Sequence, residues 1–379
     1  MPAGRSLSAT GTRKRAERME QLIRPYLDRP YEDIPEQLLD LARATGRRVV
    51  AIGGGTGLST LLLGLKEYTE NITAIVTVTD DGGGSGILRR EFGILPPGDI
   101  RNCIMALANT STMMSQLLNY RFDSGSLEGQ SFGNLFLLAL NNICGSFAEA
   151  VADMNRILAV TGQVLPVCNQ NVALQATFAD GSRVVGETAI TAAKKERDLD
   201  IRSVALVPEQ VTALPQAIQA IREAELIVLG PGSLYTSVIP NLLVGGVAEA
   251  IRTSPALKLY VLNVMTQEGE TERYSAADHV QAILDHGGTV DACLYNTKEI
   301  TAKLAARYMP EGSEPLMPLT EDFRRLRVRL FGGDMLSRNG QLARHDPLRL
   351  AYNVMLAAET FAHREGELGD YDRLLLRKG

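Results

Sequence analysis

Three stretches of this chain set glycines beside hydroxyls or acids in patterns that suit phosphate chemistry. The first is Gly53-Gly54-Gly55-Thr56-Gly57-Leu58-Ser59. Without side chains, glycines let backbone N–H groups converge on an anion, and a following helix N-terminus adds a favourable dipole. Thr56 adds a hydroxyl. The spacing is not GxGxxG, because Leu58 and Ser59 hold the late positions, and no GK[ST] follows. A plain NAD enzyme and a P-loop ATPase are thereby disfavoured. A tight strand-to-helix turn does not need three successive glycines, so Gly54, Gly55, Thr56 and Gly57 are expected to touch a ligand phosphate.

The second stretch is Thr79-Asp80-Asp81-Gly82-Gly83-Gly84-Ser85-Gly86. An acid here can bond ribose hydroxyls, or Asp80 and Asp81 together can hold a Mg²⁺ that bridges phosphates. The glycine run after them is expected to be mobile or to wrap the ligand; the bland alternative is a solvated loop capping a strand. The third is Gly230-Pro231-Gly232-Ser233-Leu234-Tyr235-Thr236-Ser237, a second anion or sugar cradle by the same physics. Ser233 and Ser237 supply donors there, and Tyr235 a stacking face.

Smaller signals join these. In Pro96-Pro97-Gly98-Asp99-Ile100-Arg101-Asn102, Asp99 suits an N-cap, and Arg101 and Asn102 in the first helical turn can face an anion. Asn134 either caps its helix or points an amide at the ligand. Asn263, Thr266 and Gln267 follow another apolar run. Near the C-terminus Arg344 can clamp a phosphate and His345 can titrate. There is no HExxH, no Ser/His/Asp order and no histidine ligand pair among the four histidines, which argues against a nucleophile-driven hydrolase.

These loops need strands and helices to aim them. Arg47–Ile52 reads as a short strand, Leu58–Tyr68 as a helix and Ile72–Thr79 as a buried parallel strand. Strand, glycine loop, helix, strand, acidic end is the opening of a doubly wound sheet, in which strand-end loops share one edge. Helical stretches follow at about 99–119 and 131–158. A β-rich insertion at about 163–207 carries a hairpin signal, Asp180-Gly181, between two β runs. Then helices at 213–223, 240–253 and 276–286 alternate with strands at 226–229, 258–263 and 290–295. The expected fold is α/β, a doubly wound, mostly parallel, Rossmann-like sheet with an antiparallel β insertion. Residues 1–46 form an extension whose first ten residues are expected to be disordered and whose end is helical. Residues 47–355 form the ligand-binding domain, and 356–379 a helical tail.

Bulk composition narrows the partners. Charged residues at 22% and a net charge of −5 give no electrostatic reason to expect nucleic acid. Cys103, Cys144, Cys168 and Cys293 are far apart, so neither a zinc site nor a disulfide framework is indicated. No integral membrane segment or secretory leader is read, which leaves the cytoplasm by elimination.

Taken together the motifs resemble the YvcK-type gluconeogenesis factors, of the superfamily that also holds 2-phospho-L-lactate transferase. Ala51–Leu58, Val76–Gly83, Pro96–Asn102, Phe132–Leu135, Gly230–Ser237, Asn263–Gln267, Tyr274–His279 and Arg344–Asp346 carry the resemblance, in order, over residues 47 to 350. It implies a nucleotide-sugar ligand of the UDP-N-acetylglucosamine class, with Thr56 and Arg344 at ligand-contacting positions. It implies, too, a role in gluconeogenic growth and in cell shape or wall synthesis, with cell-wall synthesis proteins as partners; a homodimer is the default assembly for such a protein. The alternative is a Mg²⁺-dependent transferase acting on a nucleotide-activated donor. Residues 1–46 have no counterpart in the family core. Pro347 stands where some relatives have threonine, so no phosphorylation switch carries over to that position.

Overall fold

A computed structural model describes residues 35–308, 310, 312–338 and 342–362. The expected disordered start and most of the expected tail lie outside these residues. Among the described residues ten strands build two sheets: β1 (Val49–Gly53), β2 (Ile72–Val76), β3 (Gln163–Pro166), β4 (Ala173–Phe178), β5 (Arg183–Val185), β6 (Ile201–Val207), β7 (Leu226–Leu229), β8 (Leu257–Val261), β9 (Ala292–Asn296) and β10 (Arg329–Gly333). Seven run parallel in the order β10-β9-β8-β7-β1-β2-β3, and β5-β4-β6 form a small antiparallel sheet. Buried at every position, β1, β2, β7 and β8 are apolar runs covered on both faces. By contrast β4 alternates buried and half-buried residues, as one covered face requires.

The helices are α1 (Glu36–Thr45), α2 (Gly55–Leu65), α3 (Gly83–Phe92), α4 (Gly98–Leu107), α5 (Thr112–Asn119), α6 (Phe132–Cys144), α7 (Phe147–Ile157), α8 (Glu187–Arg197), α9 (Pro215–Glu223), α10 (Ile239–Leu242), α11 (Val247–Thr253), α12 (Ala276–Asp285), α13 (Ala302–Ala305), α14 (Thr320–Leu326) and α15 (Pro347–Ala362). No single helix among the described residues is long and apolar enough to cross a membrane.

Strand order reverses between β1 and β7, which pair directly with Ile52 opposite Leu229. A doubly wound sheet opens its ligand crevice at such a reversal. The loops after β1 and β7, the first and third glycine stretches, therefore lie side by side.

Four expectations change. The run at 163–166 joins the parallel sheet beside β2, so the antiparallel insertion starts at β4. The stretch 99–119 is two helices, and 131–158 breaks at Gly145, which takes a left-handed φ of 74° that ends α6. The glycine run after Asp81, expected to be mobile or to wrap the ligand, instead opens α3. The boundary at 355 falls inside α15.

Candidate functional site

The two adjoining loops form the floor of a cavity of about 490 Å³. Gly54 is extended and precedes α2 with no side-chain cap, while Gly55 turns through a φ of 65°. The first N–H groups of a helix have no partner within it; at the start of α2 the Gly55 N–H meets the Asp99 carboxyl, while Thr56 and Gly57 line the cavity. Gly57 is held close to the other loop: a Cβ there would stand 2.5 Å from the Pro231 carbonyl oxygen. Behind the floor, buried Asn241 donates to the carbonyls of Gly53 (3.1 Å) and Ser237 (2.7 Å), joining the ends of β1 and the second loop.

The loop after β8 makes the next wall, tied by its polar residues to the loop after β7 and to Glu314. Asn263 exchanges two hydrogen bonds with the Gly232 backbone, at 2.9 and 3.2 Å. Ser233 Oγ donates to Gln267 Oε1 at 2.8 Å, and Thr266 trades bonds with the Glu314 backbone, both at 2.8 Å. Opposite stand Tyr308, Leu342, Ala343, Arg344 and His345; the Tyr308 hydroxyl accepts the Ala343 N–H at 2.8 Å. Burial pushes the His345 imidazole down to about 4, so it is neutral at physiological pH instead of titrating there. Its Nε2 has no hydrogen-bond partner among the described residues.

The structure thus brings Gly54, Gly55, Thr56, Gly57, Pro231, Gly232, Ser233, Ser237, Asn263, Thr266, Gln267, Arg344 and His345 to one cavity. Gly230 shapes its turn with a φ of 74°. Tyr235 is not a stacking face: it is 3% exposed, and its hydroxyl pairs with that of Tyr274 at 2.9 Å. Arg101, Asn102 and Asn134 lie outside the cavity lining. Arg101 is buried along α4 and donates to Asn102 Oδ1 at 2.6 Å, and the Asn134 N–H is capped by Ser131 Oγ. The reading from sequence missed Thr60, Met265, Tyr308 and Leu342 in the lining. Met265 lies inside the Asn263–Gln267 stretch but is not polar enough to single out, and Thr60, Tyr308 and Leu342 carry no motif; only the chain's path around the crevice selects them.

Asp80 and Asp81 also stand outside the lining. Asp80 Oδ1 accepts the Gly82 N–H at 2.9 Å. Asp81 Oδ1 accepts the N–H (2.9 Å) and hydroxyl (2.7 Å) of Thr188, in the first turn of α8. Among the described residues no group of three or more His, Cys, Asp or Glu is arranged to hold a metal. Both carboxylates are thus engaged by the chain's own donors, outside the cavity lining. The acid nearest the glycine floor is Asp99, whose Oδ2 would be 2.6 Å from a Cβ at Gly54. Burial, then the charge of Asp80, pushes its carboxyl up to about 6; the Gly55 N–H and Arg101 offset this only in part.

This fold and crevice define a class. The family model described as 2-phospho-L-lactate transferase CofD matches residues 49–336, and the chain belongs to that family. Within it the similarity runs to the gluconeogenesis factors of the YvcK type. A relative from Thermoanaerobacterium thermosulfurigenes is 49% identical over 317 residues, 83% of this chain and 98% of its own length. The gluconeogenesis factor of Bacillus subtilis is 44% identical over 307 residues, 80% of this chain and 96% of its own. A crystal structure of a UPF0052-family protein from Bacillus halodurans superposes with a TM-score of 0.78 at 43% identity, over 82% of this chain and 99% of that one.

Proposed function

We propose that the cavity binds a nucleotide-sugar of the UDP-N-acetylglucosamine class, and that the protein acts as a cytoplasmic ligand-binding factor in gluconeogenic growth and cell-wall morphogenesis. The observation that carries this reading is the mixed lining of the cavity: glycine backbone at the start of α2 with the Thr56 and Ser237 hydroxyls, the Arg344 guanidinium, and the Tyr308, Leu342 and Met265 side chains. Backbone N–H groups, hydroxyls and a cation suit a diphosphate, the ring and aliphatic groups a base, and about 490 Å³ is ample for a small-molecule ligand.

Calorimetric titration with UDP-N-acetylglucosamine, GDP and NAD tests the reading. The UDP-sugar is expected to bind, and Thr56→Val or Arg344→Ala to weaken it about tenfold, the worth of a charge-assisted hydrogen bond. Tight NAD binding without UDP-sugar binding sinks the proposal; unchanged affinity in both variants means the ligand sits elsewhere. Turnover of the bound UDP-sugar would instead establish a transferase.

A further inference from the structure

Glu270 is 2% exposed and sits against the start of the helical turn Leu234–Val238, which begins within the third glycine stretch. Its Oε2 accepts the N–H of Leu234 at 3.0 Å, and its Oε1 those of Tyr235 at 3.1 Å and Thr236 at 2.9 Å. An anion at this turn is what the sequence pattern calls for, yet the chain itself supplies it. A ligand phosphate has no room to enter the same seat.

The carboxylate also ties two walls of the cavity together. Ser233, which lines the cavity, immediately precedes the three clamped amides and bonds Gln267, three residues before Glu270. The Glu270 amide in turn donates to Glu272 Oε2 at 3.1 Å. Glu270 thus adds a buried tie to those that Asn263 and Gln267 make between the same two loops.

We infer that Glu270 is a positioning residue for the ligand site: its carboxylate holds the 230–237 turn against the 263–271 loop, and its protonation loosens that hold and lowers ligand affinity. This rests on the cavity being the nucleotide-sugar site. A carboxylate accepts at both oxygens, whereas a protonated carboxyl turns one oxygen into a donor facing an N–H. Burial pushes Glu270 up to about 7, against the pull of the Thr236 hydroxyl and the backbone amides. The groups around it are Tyr235 on the turn, Tyr274 and Glu272 on its own loop, Tyr260 on β8 and Glu187 on α8. Burial holds the three tyrosines above their ordinary range and neutral, so they do not titrate in the same window. Glu187 is raised as well, first by burial and then by Asp80, so a variant must separate the two.

The test measures UDP-N-acetylglucosamine affinity between about pH 6 and pH 8, where that ligand has no titrating group, for the wild type, Glu270→Gln and Thr236→Val. Wild-type affinity should fall severalfold as pH drops. Glu270→Gln should bind about tenfold more weakly at the upper pH, the loss of one charge-assisted hydrogen bond, and show a shallower profile, the remaining slope belonging to Asp99 and Glu187. Thr236→Val keeps the carboxylate and removes the hydroxyl that favours it, so its profile should shift to higher pH. Hydrogen exchange at the amides of 234–236 gives a ligand-free readout: protection should drop in Glu270→Gln. A flat wild-type profile, or the wild-type profile retained in Glu270→Gln, overturns the inference, as do amides equally protected in both. Absence of UDP-sugar binding by the wild type rejects the nucleotide-sugar reading instead, and exchange then decides the clamp.

Discussion

At Asp99 a carboxyl serves the backbone and resists ionisation at once. The folded protein holds its proton up to about pH 6 because burial and Asp80 disfavour the charge, whereas an unfolded aspartate releases it near pH 4. The native state thus binds more protons across that window, and this contribution to stability is present below the lower value and lost as pH rises through the upper one. Asp99→Asn removes the term. Urea unfolding at about pH 4.5 and pH 7 should show the wild type losing roughly 1–3 kcal/mol relative to the variant over that interval. Equal changes in both proteins would mean that Asp99 titrates as an ordinary surface carboxylate. From sequence, Asp99 is legible only as a cap after Pro-Pro-Gly; its contact with Gly54 depends on α4 returning to the end of β1, and no local pattern encodes that. The glycine floor is legible because its requirement is local. Gly55 needs its positive φ and Gly57 its lack of a side chain against Pro231, and both appear as glycines in the chain.

Among the elements, α3 shows where pattern reading fails. Three glycines and a serine in its first four residues are poor helix formers. Tertiary bonds secure it nonetheless: the Gly98 N–H donates to Ser85 Oγ at 3.1 Å, and Arg89 reaches the carbonyls of Thr79 and Asp80 at 3.3 and 3.4 Å. The parallel strands are legible because burial on both faces demands continuous apolar, β-branched runs. The hairpin between β4 and β5 is legible in Asp180-Gly181, where Gly181 takes a φ of 84°. Strand β10, Arg-Leu-Phe-Gly-Gly, hides behind its glycines. Asp81 belongs to this scale, since it anchors the first turn of α8 through Thr188. Asp81→Ala should therefore lower stability by about 1 kcal/mol, as the loss of a helix cap does, and leave UDP-sugar affinity within about twofold. Chemical denaturation and calorimetry on the same preparation check both. A collapse of affinity at unchanged stability would return Asp81 to the ligand.

Across the whole molecule, the cavity depends on the two ends of the described chain meeting. Helix α15 packs along α2, whose first turn is the glycine floor, and the segment that leads into α15 carries Arg344 and His345. The closest approach is at Gly64 in α2. A Cβ there would lie 2.0 Å from the Pro347 carbonyl oxygen and 2.8 Å from the Ala351 Cβ. The sequence offers Gly64 only as a weak spot in a helix, and neither its partner nor the closure of the cavity's far wall can be seen until both helices are placed. Two effects of Gly64→Ala oppose each other. Alanine gains about 1 kcal/mol in helix propensity, while forcing apart two closely packed backbones costs roughly 1–3 kcal/mol or more. At 2.0 Å the obstacle is backbone, not a flexible side-chain tip, so the steric cost should win. The expected outcome is a net loss of about 1–2 kcal/mol in urea unfolding. Weaker UDP-sugar binding should accompany it as α15 moves off α2 and draws Arg344 away from Thr56. A stabilised variant with full affinity would show that the α2–α15 contact yields freely and that the far wall is set by the loops alone.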